Sequence, residues 1–309
     1  MDFFFVLSGF VLAKTYWTES RRFLIFQNVA ERIARLYPLH FVTLLIVAVG
    51  QWILAVLLGQ DYFIYTFNDS YHFVLNLGLA NYLGPQAGYS FNGPAWSIST
   101  EFLAGVVFLL LILLPRRAAL TSVCCLVLMS VTVFNGILNP LLLRTVVGFC
   151  VGVLLHQLVY PFRRALKPLH YDLLLVTAVA AFAVYTALPW EKNYRGQDFF
   201  VDMVVFPAMV LAAQLGRHGT AILRAKPLVF LGTISYSIYL VHFPLQLLLK
   251  IVQSTFGITL PYHGAFFLAA FLGFTILTAT VAHRYIEVPG KAWIRSWMQS
   301  STSRLKAAG

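Results

Sequence analysis

Residues Phe91 to Phe108, FNGPAWSISTEFLAGVVF, carry a carboxylate into a stretch otherwise built of apolar and small residues. Asn92-Gly93 is a capping pair and Pro94 suits a first helical turn, so the sequence predicts a helix from here through Leu114. Glu101 then sits about 10 Å along a helix crossing a hydrocarbon core about 30 Å thick. An ionised side chain there costs at least ~2.5 kcal/mol unless it meets a partner or a wet cavity, which makes Glu101 a candidate functional residue. Pro94, Ser97, Glu101, Gly105 and Phe108 share one helical face, so the polar stripe points in one direction.

Around this stretch the 309-residue chain is 60% hydrophobic, 16% aromatic and only 11% charged, with mean hydropathy +0.78. Soluble domains carry about 25% charged residues. Lipid is therefore the solvent, and the fold class is all-α: a polytopic integral membrane helix bundle. The net charge of +11 does not point to nucleic acid, because the basic residues fall in short connections between apolar runs. Cys124, Cys125 and Cys150 lie inside apolar runs without ligand-like spacing, so neither a disulfide nor a metal site is expected.

Apolar runs at 2–16, 38–59, 95–114, 118–135, 140–160, 171–189, 199–216, 227–250 and 264–286 give about nine candidate transmembrane helices. Every second connection is basic. Of the 22 Lys and Arg, all but Arg144, Lys192, Arg195 and Lys250 fall on that side. Lys192 and Arg195 are offset by Glu191 and Asp198, and the connection 60–93 holds Asp61 and Asp69 with no Lys or Arg. The positive-inside rule assigns the basic side and the C-terminus to the cytoplasm, which puts Met1 outside. One membrane domain, 1–289, and a short solvated cytoplasmic tail, 290–309, are expected.

Several positions combine polarity with membrane depth. Ser8-Gly9 is a close-packing small pair that also admits a ligand. Arg32 and Arg35 share a face of a basic helix that Pro38 should end. They suit either anionic lipid headgroups or the phosphates of a cytoplasmic donor, since Arg matches phosphate oxygens bidentately. Ser235, Tyr239, His242 and Gln246 form a second polar stripe, with His242 roughly 22 Å from the cytoplasmic end. Glu101 and His242 at matched depth suggest either proton transfer or two polar groups satisfying each other. Arg144 and Asp202 are expected to be paired or snorkelling, Gly148 and Gly152 to mark a close helix contact, and Arg284 to pair with Glu287. No G-x-S-x-G, H-E-x-x-H or Gly-rich phosphate loop occurs.

Taken in order, FFFVLSGF, RIARLYP, PAWSISTEF, GFCVG, LGTISYSIYLVHFP and RYIEVP resemble the membrane acyltransferase-3 family of bacterial integral-membrane O-acyltransferases. The resemblance covers residues 2 to about 295. It implies a bundle of helices in the cytoplasmic (inner) membrane that takes an acyl group, often acetyl, from a cytoplasmic coenzyme A thioester. The group passes to a hydroxyl on a carbohydrate or other cell-envelope acceptor outside, with acyl-coenzyme A as substrate and no bound cofactor. The matching positions are Ser8, Gly9, Arg32, Arg35, Trp96, Ser97, Tyr236 and Tyr239 toward substrate, Glu101 and His242 toward chemistry, and Glu287 with Pro289.

In that family a further helix precedes the FFFVLSG segment and carries an Arg and a His, the latter the leading candidate for catalytic base or acyl relay. Met1 stands where a Gly-Val pair is usual, and a GTG codon can be read as a start, so an N-terminally truncated gene model is the expectation. Two alternatives stay open: these residues alone are inactive without that His, or a His present here, His242 first, performs the chemistry. A reading from another class is a transporter or flippase-like protein for an acyl or glycolipid substrate. The sequence lacks the paired interrupted helices in two related halves that point to alternating access.

Overall fold

The structure, a computed structural model, describes residues 1–132, 139–188 and 200–307, and every regular element among them is helical. The helices are α1 (Asp2–Tyr16), α2 (Ile25–Trp52), α3 (Ser70–Leu77), α4 (Trp96–Leu111), α5 (Arg116–Thr132) and α6 (Pro140–Leu154). They continue as α7 (Pro168–Ala187), α8 (Phe206–Leu215), α9 (Arg217–Leu223), α10 (Lys226–Phe256), α11 (Ala265–Ala282) and α12 (Val288–Ala307). Single π-helical turns extend α2 (Ile53–Leu57) and α6 (Leu155–Val159), precede α8 (Val201–Val205) and join α11 to α12 (His283–Glu287).

Among the described residues six helices are long and apolar enough to cross a membrane: Ile25–Leu57, Gly93–Leu111, Pro140–Phe162, Pro168–Ala187, Lys226–Phe256 and Ala265–Met298. The other three expected crossings coincide with shorter helices, α1 of 15 residues, α5 of 17, and Val201–Leu215. At about 1.5 Å per residue, α1 reaches about 22 Å, less than a full hydrocarbon core. Lys192, Arg195, Glu191 and Asp198 lie outside the described residues.

Two boundaries differ from expectation. Pro38 does not end a helix, because α2 runs through it. Proline removes one backbone bond, and neighbouring side chains in a membrane helix can supply hydrogen bonds to such a turn. Asn92 does not cap α4: a 3-10 turn, Gly93–Ala95, intervenes, and the Asn92 amide donates instead to the Leu240 carbonyl at 3.1 Å. Beyond them, the stretch after residue 289 is helical, with Trp293 and Trp297 exposed.

The chain forms two compact units, Met1–Asn28 with Thr100–Val229, and Val29–Ser99 with Phe230–Gly309. In the first, α1 lies against α6 along a seam of small residues. A Cβ on Gly9 would stand 1.9 Å from the Phe149 carbonyl oxygen, and one on Gly152 would stand 2.0 Å from that of Val6, so only glycine permits the approach. Gly148 faces Phe5 in the same seam. At its end Arg144 donates to both carboxylate oxygens of Asp2, at 3.0 and 2.5 Å, the paired state expected for this arginine. Val6 and Phe10 enter a core with Tyr171, Val205, Phe206 and Val210. Asp172 of α7 accepts the backbone N–H groups of Arg217, His218 and Gly219, which fixes the start of α9.

In the second unit Leu44, Val47, Leu54, Phe91, Phe243 and Leu247 form the core between α2 and α10. The Tyr236 hydroxyl donates to the Leu36 carbonyl at 2.5 Å, beside the proline turn of α2. Gly290 meets the other side of that turn, where a Cβ would stand 2.5 Å from that of Pro38. The connection after α2 is held by side-chain amides: buried Gln51 both donates to and accepts from the backbone of Phe63, at 3.0 and 2.8 Å. Asn68 accepts from the Phe91 N–H, and Asn76 donates to Ser90. The Gln51 and Asn68 bonds satisfy backbone that no helix satisfies.

The seam makes a sharp prediction. Gly152→Val sets methyl groups against a backbone carbonyl and should destabilise the protein by about 3 kcal/mol, read as a lower Tm of the detergent-purified chain; an unchanged Tm would show that α1 and α6 can part there.

Candidate functional site

The α1–α6 seam fixes Ser8, and Ser8 Oγ donates to Glu101 Oε1 at 2.7 Å. That is an ordinary length for a hydroxyl hydrogen bond to oxygen. One residue before Glu101, Thr100 is fully buried and accepts from Thr145 Oγ1 of α6 at 2.9 Å. Glu101 is thus half-buried and oriented on the α4 face that also carries buried Gly105 and Phe108. A carboxylate aimed this way can accept a proton or hold a hydroxyl. Gly9, next to Ser8, lies in the helix seam.

Ser97 and Tyr239 meet in the second unit. Ser97 Oγ donates to the Tyr239 hydroxyl at 2.9 Å, and that hydroxyl donates to the Pro94 carbonyl. Trp96 is buried beside them. His242 stands one turn along α10, its ring centroid 5.8 Å from that of Tyr239. Ser235, from the same expected stripe, turns its hydroxyl back onto the Gly232 carbonyl of its own helix. Glu101 belongs to the first unit and His242 to the second. Of the two arginines on α2, Arg32 is buried at 6% exposure, whereas Arg35 is exposed.

A buried cluster escaped the sequence reading. Ser237 Oγ donates to Glu287 Oε2 at 2.7 Å, and His283 Nδ1 lies 3.0 Å from the same oxygen. The expected partner Arg284 instead lies exposed over the Tyr285 ring. The i, i+4 spacing of His283 and Glu287 was the available signal. Both groups converge on one carboxylate oxygen, so His283 is not interposed to take the Ser237 proton as a serine triad requires. The cluster anchors a carboxylate; it does not prime a nucleophile.

The connection between α2 and the Gly93–Ala95 turn stores backbone strain, with positive φ at Ile64, Leu79, Tyr82 and Phe91. Its tyrosines pack together: the Tyr82 and Tyr89 rings are stacked at 4.3 Å, and Tyr65 stacks on Phe243 at 5.4 Å. Burial pushes the Tyr65 hydroxyl above its ordinary pKa. Asp69 caps α3, and the His72 backbone N–H and ring hold its carboxyl below the usual value.

Compared with known families, residues 1–282 match one described as an acyltransferase domain, of the acyltransferase-3 type. Among curated proteins and among solved structures, none matches the chain.

The Ser97–Tyr239–Pro94 relay predicts an order of effects. Tyr239→Phe removes a hydroxyl that both accepts and donates, and should cost about 1–3 kcal/mol. Ser97→Ala leaves the bond to Pro94 in place and should cost less; a larger fall in Tm for Ser97→Ala would contradict the relay.

Proposed function

The chain belongs to the acyltransferase-3 family, and on that premise we propose that it moves an acyl group, acetyl first among them, from cytoplasmic acyl-coenzyme A to a hydroxyl of an extracytoplasmic carbohydrate or cell-surface glycan. The observation that carries this reading is the extent of the match, residues 1–282, which takes in Ser8, Arg32, Arg35, Ser97, Glu101, Tyr236, Tyr239 and His242 and stops short of His283, Arg284 and Glu287. The protein is a multi-pass membrane acyltransferase. We place it in the cytoplasmic membrane with nine crossings, counting α1, α5 and Val201–Leu215 with the six long helices.

In the transfer the acceptor hydroxyl oxygen bonds to the acyl carbon, the C–S bond breaks, and the hydroxyl proton ends on the coenzyme A thiol. Glu101 and His242 are the groups assigned to proton handling. The exposed Arg35 offers its guanidinium to donor phosphates, with Arg32 behind it on α2. Ser8, Gly9, Trp96, Ser97, Tyr236 and Tyr239 are assigned to shaping and lining the path of the substrates.

Membranes carrying the full chain, given labelled acetyl-coenzyme A, should release one thiol for each label that enters the carbohydrate or glycolipid fraction. Neither thiol release nor label above background would overturn the reading. Arg35→Ala should raise the KM for acetyl-coenzyme A about tenfold or more while keeping kcat, as loss of a charge-assisted contact outside the reacting centre does. An unchanged KM would remove Arg35 from donor binding.

A further inference from the structure

At the end of α2 remote from Arg32, residues Gly59 to Ile64 and Lys250 of α10 line a cleft of about 480 Å³, all of it within the second unit. That is the size of a ligand cleft. Arg32 to Leu57 covers about 37 Å of helix, more than a hydrocarbon core of about 30 Å, so the cleft opens on the side opposite the basic connections.

The loop that forms it is held in place. Ser254 Oγ of α10 donates to Gln60 Oε1 at 2.8 Å, and Gln51 holds the backbone of Phe63. Between these clips lie Asp61 and the exposed Tyr62. The backbone is left-handed at both ends, with φ of +59° at Gly59 and +62° at Ile64. For a β-branched residue that conformation costs energy, and such strain is kept where binding uses the shape.

Charge says what the cleft takes. Lys250 is one of the four Lys and Arg off the basic side. Arg144 has Asp2, and Lys192 and Arg195 stand beside Glu191 and Asp198 in the sequence. Lys250 and Asp61 line one cleft, yet among the described residues neither forms an ion pair. A ligand between them must offer an anionic acceptor to the ammonium and a donor to the carboxylate. A sugar with a carboxylate offers both, and its C–H face suits the Tyr62 ring. A zwitterionic phospholipid headgroup offers the charges without that rigid face.

On the acyl-transfer reading above, we infer that this cleft binds the acceptor through a sugar residue of the hexuronic acid class. Lys250 takes the carboxylate, Asp61 a ring hydroxyl and Tyr62 the apolar face. Lys250 stands eight residues, about 12 Å, beyond His242 on α10. The cleft thus grips the acceptor away from the reacting hydroxyl and selects which glycan is presented.

The test uses the full chain in phosphatidylcholine nanodiscs and two disaccharides that differ at one carbon, cellobiouronic acid and cellobiose. Saturation-transfer NMR titrations should show the acidic sugar bound about tenfold or more tightly. Lys250→Met should remove that preference, Lys250→Arg should keep it and so show the fold intact, and Asp61→Asn should weaken both sugars. Equal binding of the two sugars, or a preference that survives Lys250→Met, would overturn the inference. So would loss of the signal when phosphatidylethanolamine replaces phosphatidylcholine, which would make the cleft a headgroup site. The second readout is label carried from acetyl-coenzyme A onto each disaccharide. Binding as expected with no transfer would uphold the cleft and sink the transferase reading. Transfer to both sugars alike, unchanged in Lys250→Met, would do the reverse.

Discussion

A carboxylate in an apolar helix must meet hydrogen-bond donors before that helix is at ease in lipid, and three such meetings set the internal geometry of the two units. An ionised group near the helix centre costs about 2.5–3.5 kcal/mol on insertion. A hydrogen bond to a charged group returns about 1.5–3 kcal/mol, so one or two well-placed donors offset the cost. Asp2 meets Arg144, Glu101 meets Ser8, and Glu287 meets Ser237 and His283. The short α1 takes part in two of these, offering a carboxylate to α6 and a hydroxyl to α4. It positions the candidate site while being too brief to count by length alone as a crossing.

The second unit is organised by a different requirement. Apart from the short α3, its long connection lies outside the regular helices, so its backbone groups have to be satisfied piecemeal, and Gln51 and Asn68 do this with amides that donate and accept at once. Four non-glycine residues in left-handed conformation are retained inside that framework. The stacked tyrosines and the Ser97–Tyr239 contact are then presented by a connection that its own hydrogen bonds hold.

Much of this was legible in the chain. Composition announces lipid, the stripe through Glu101 announces an oriented carboxylate, and Gly148 with Gly152 announces a close contact. What periodicity does not contain is the identity of a partner on another helix. Nothing in the spacing of Ser8 and Glu101, or of Ser237 and Glu287, marks them as pairs, because they are joined only when helices distant in sequence pack. Local signals misled where the membrane relaxes the usual rules. Pro38 reads as a stop by water-based reasoning, yet α2 continues, with Tyr236 and Gly290 packed around the turn. Arg284 reads as the partner of Glu287, but the π turn gives the carboxylate to His283.

The seam between α1 and α6 has one more consequence. The atoms that exclude a side chain at Gly9 and Gly152 belong to the peptide backbone, which every amino acid shares. Where side chains obstruct each other, a clash introduced at one position can be relieved by shrinking its neighbour. Here there is nothing to shrink. Glycine has no smaller relative, and the opposing carbonyl cannot be mutated away. These two positions therefore have no compensating partners anywhere in the sequence, and drift around them is confined to the residues that do not touch the seam.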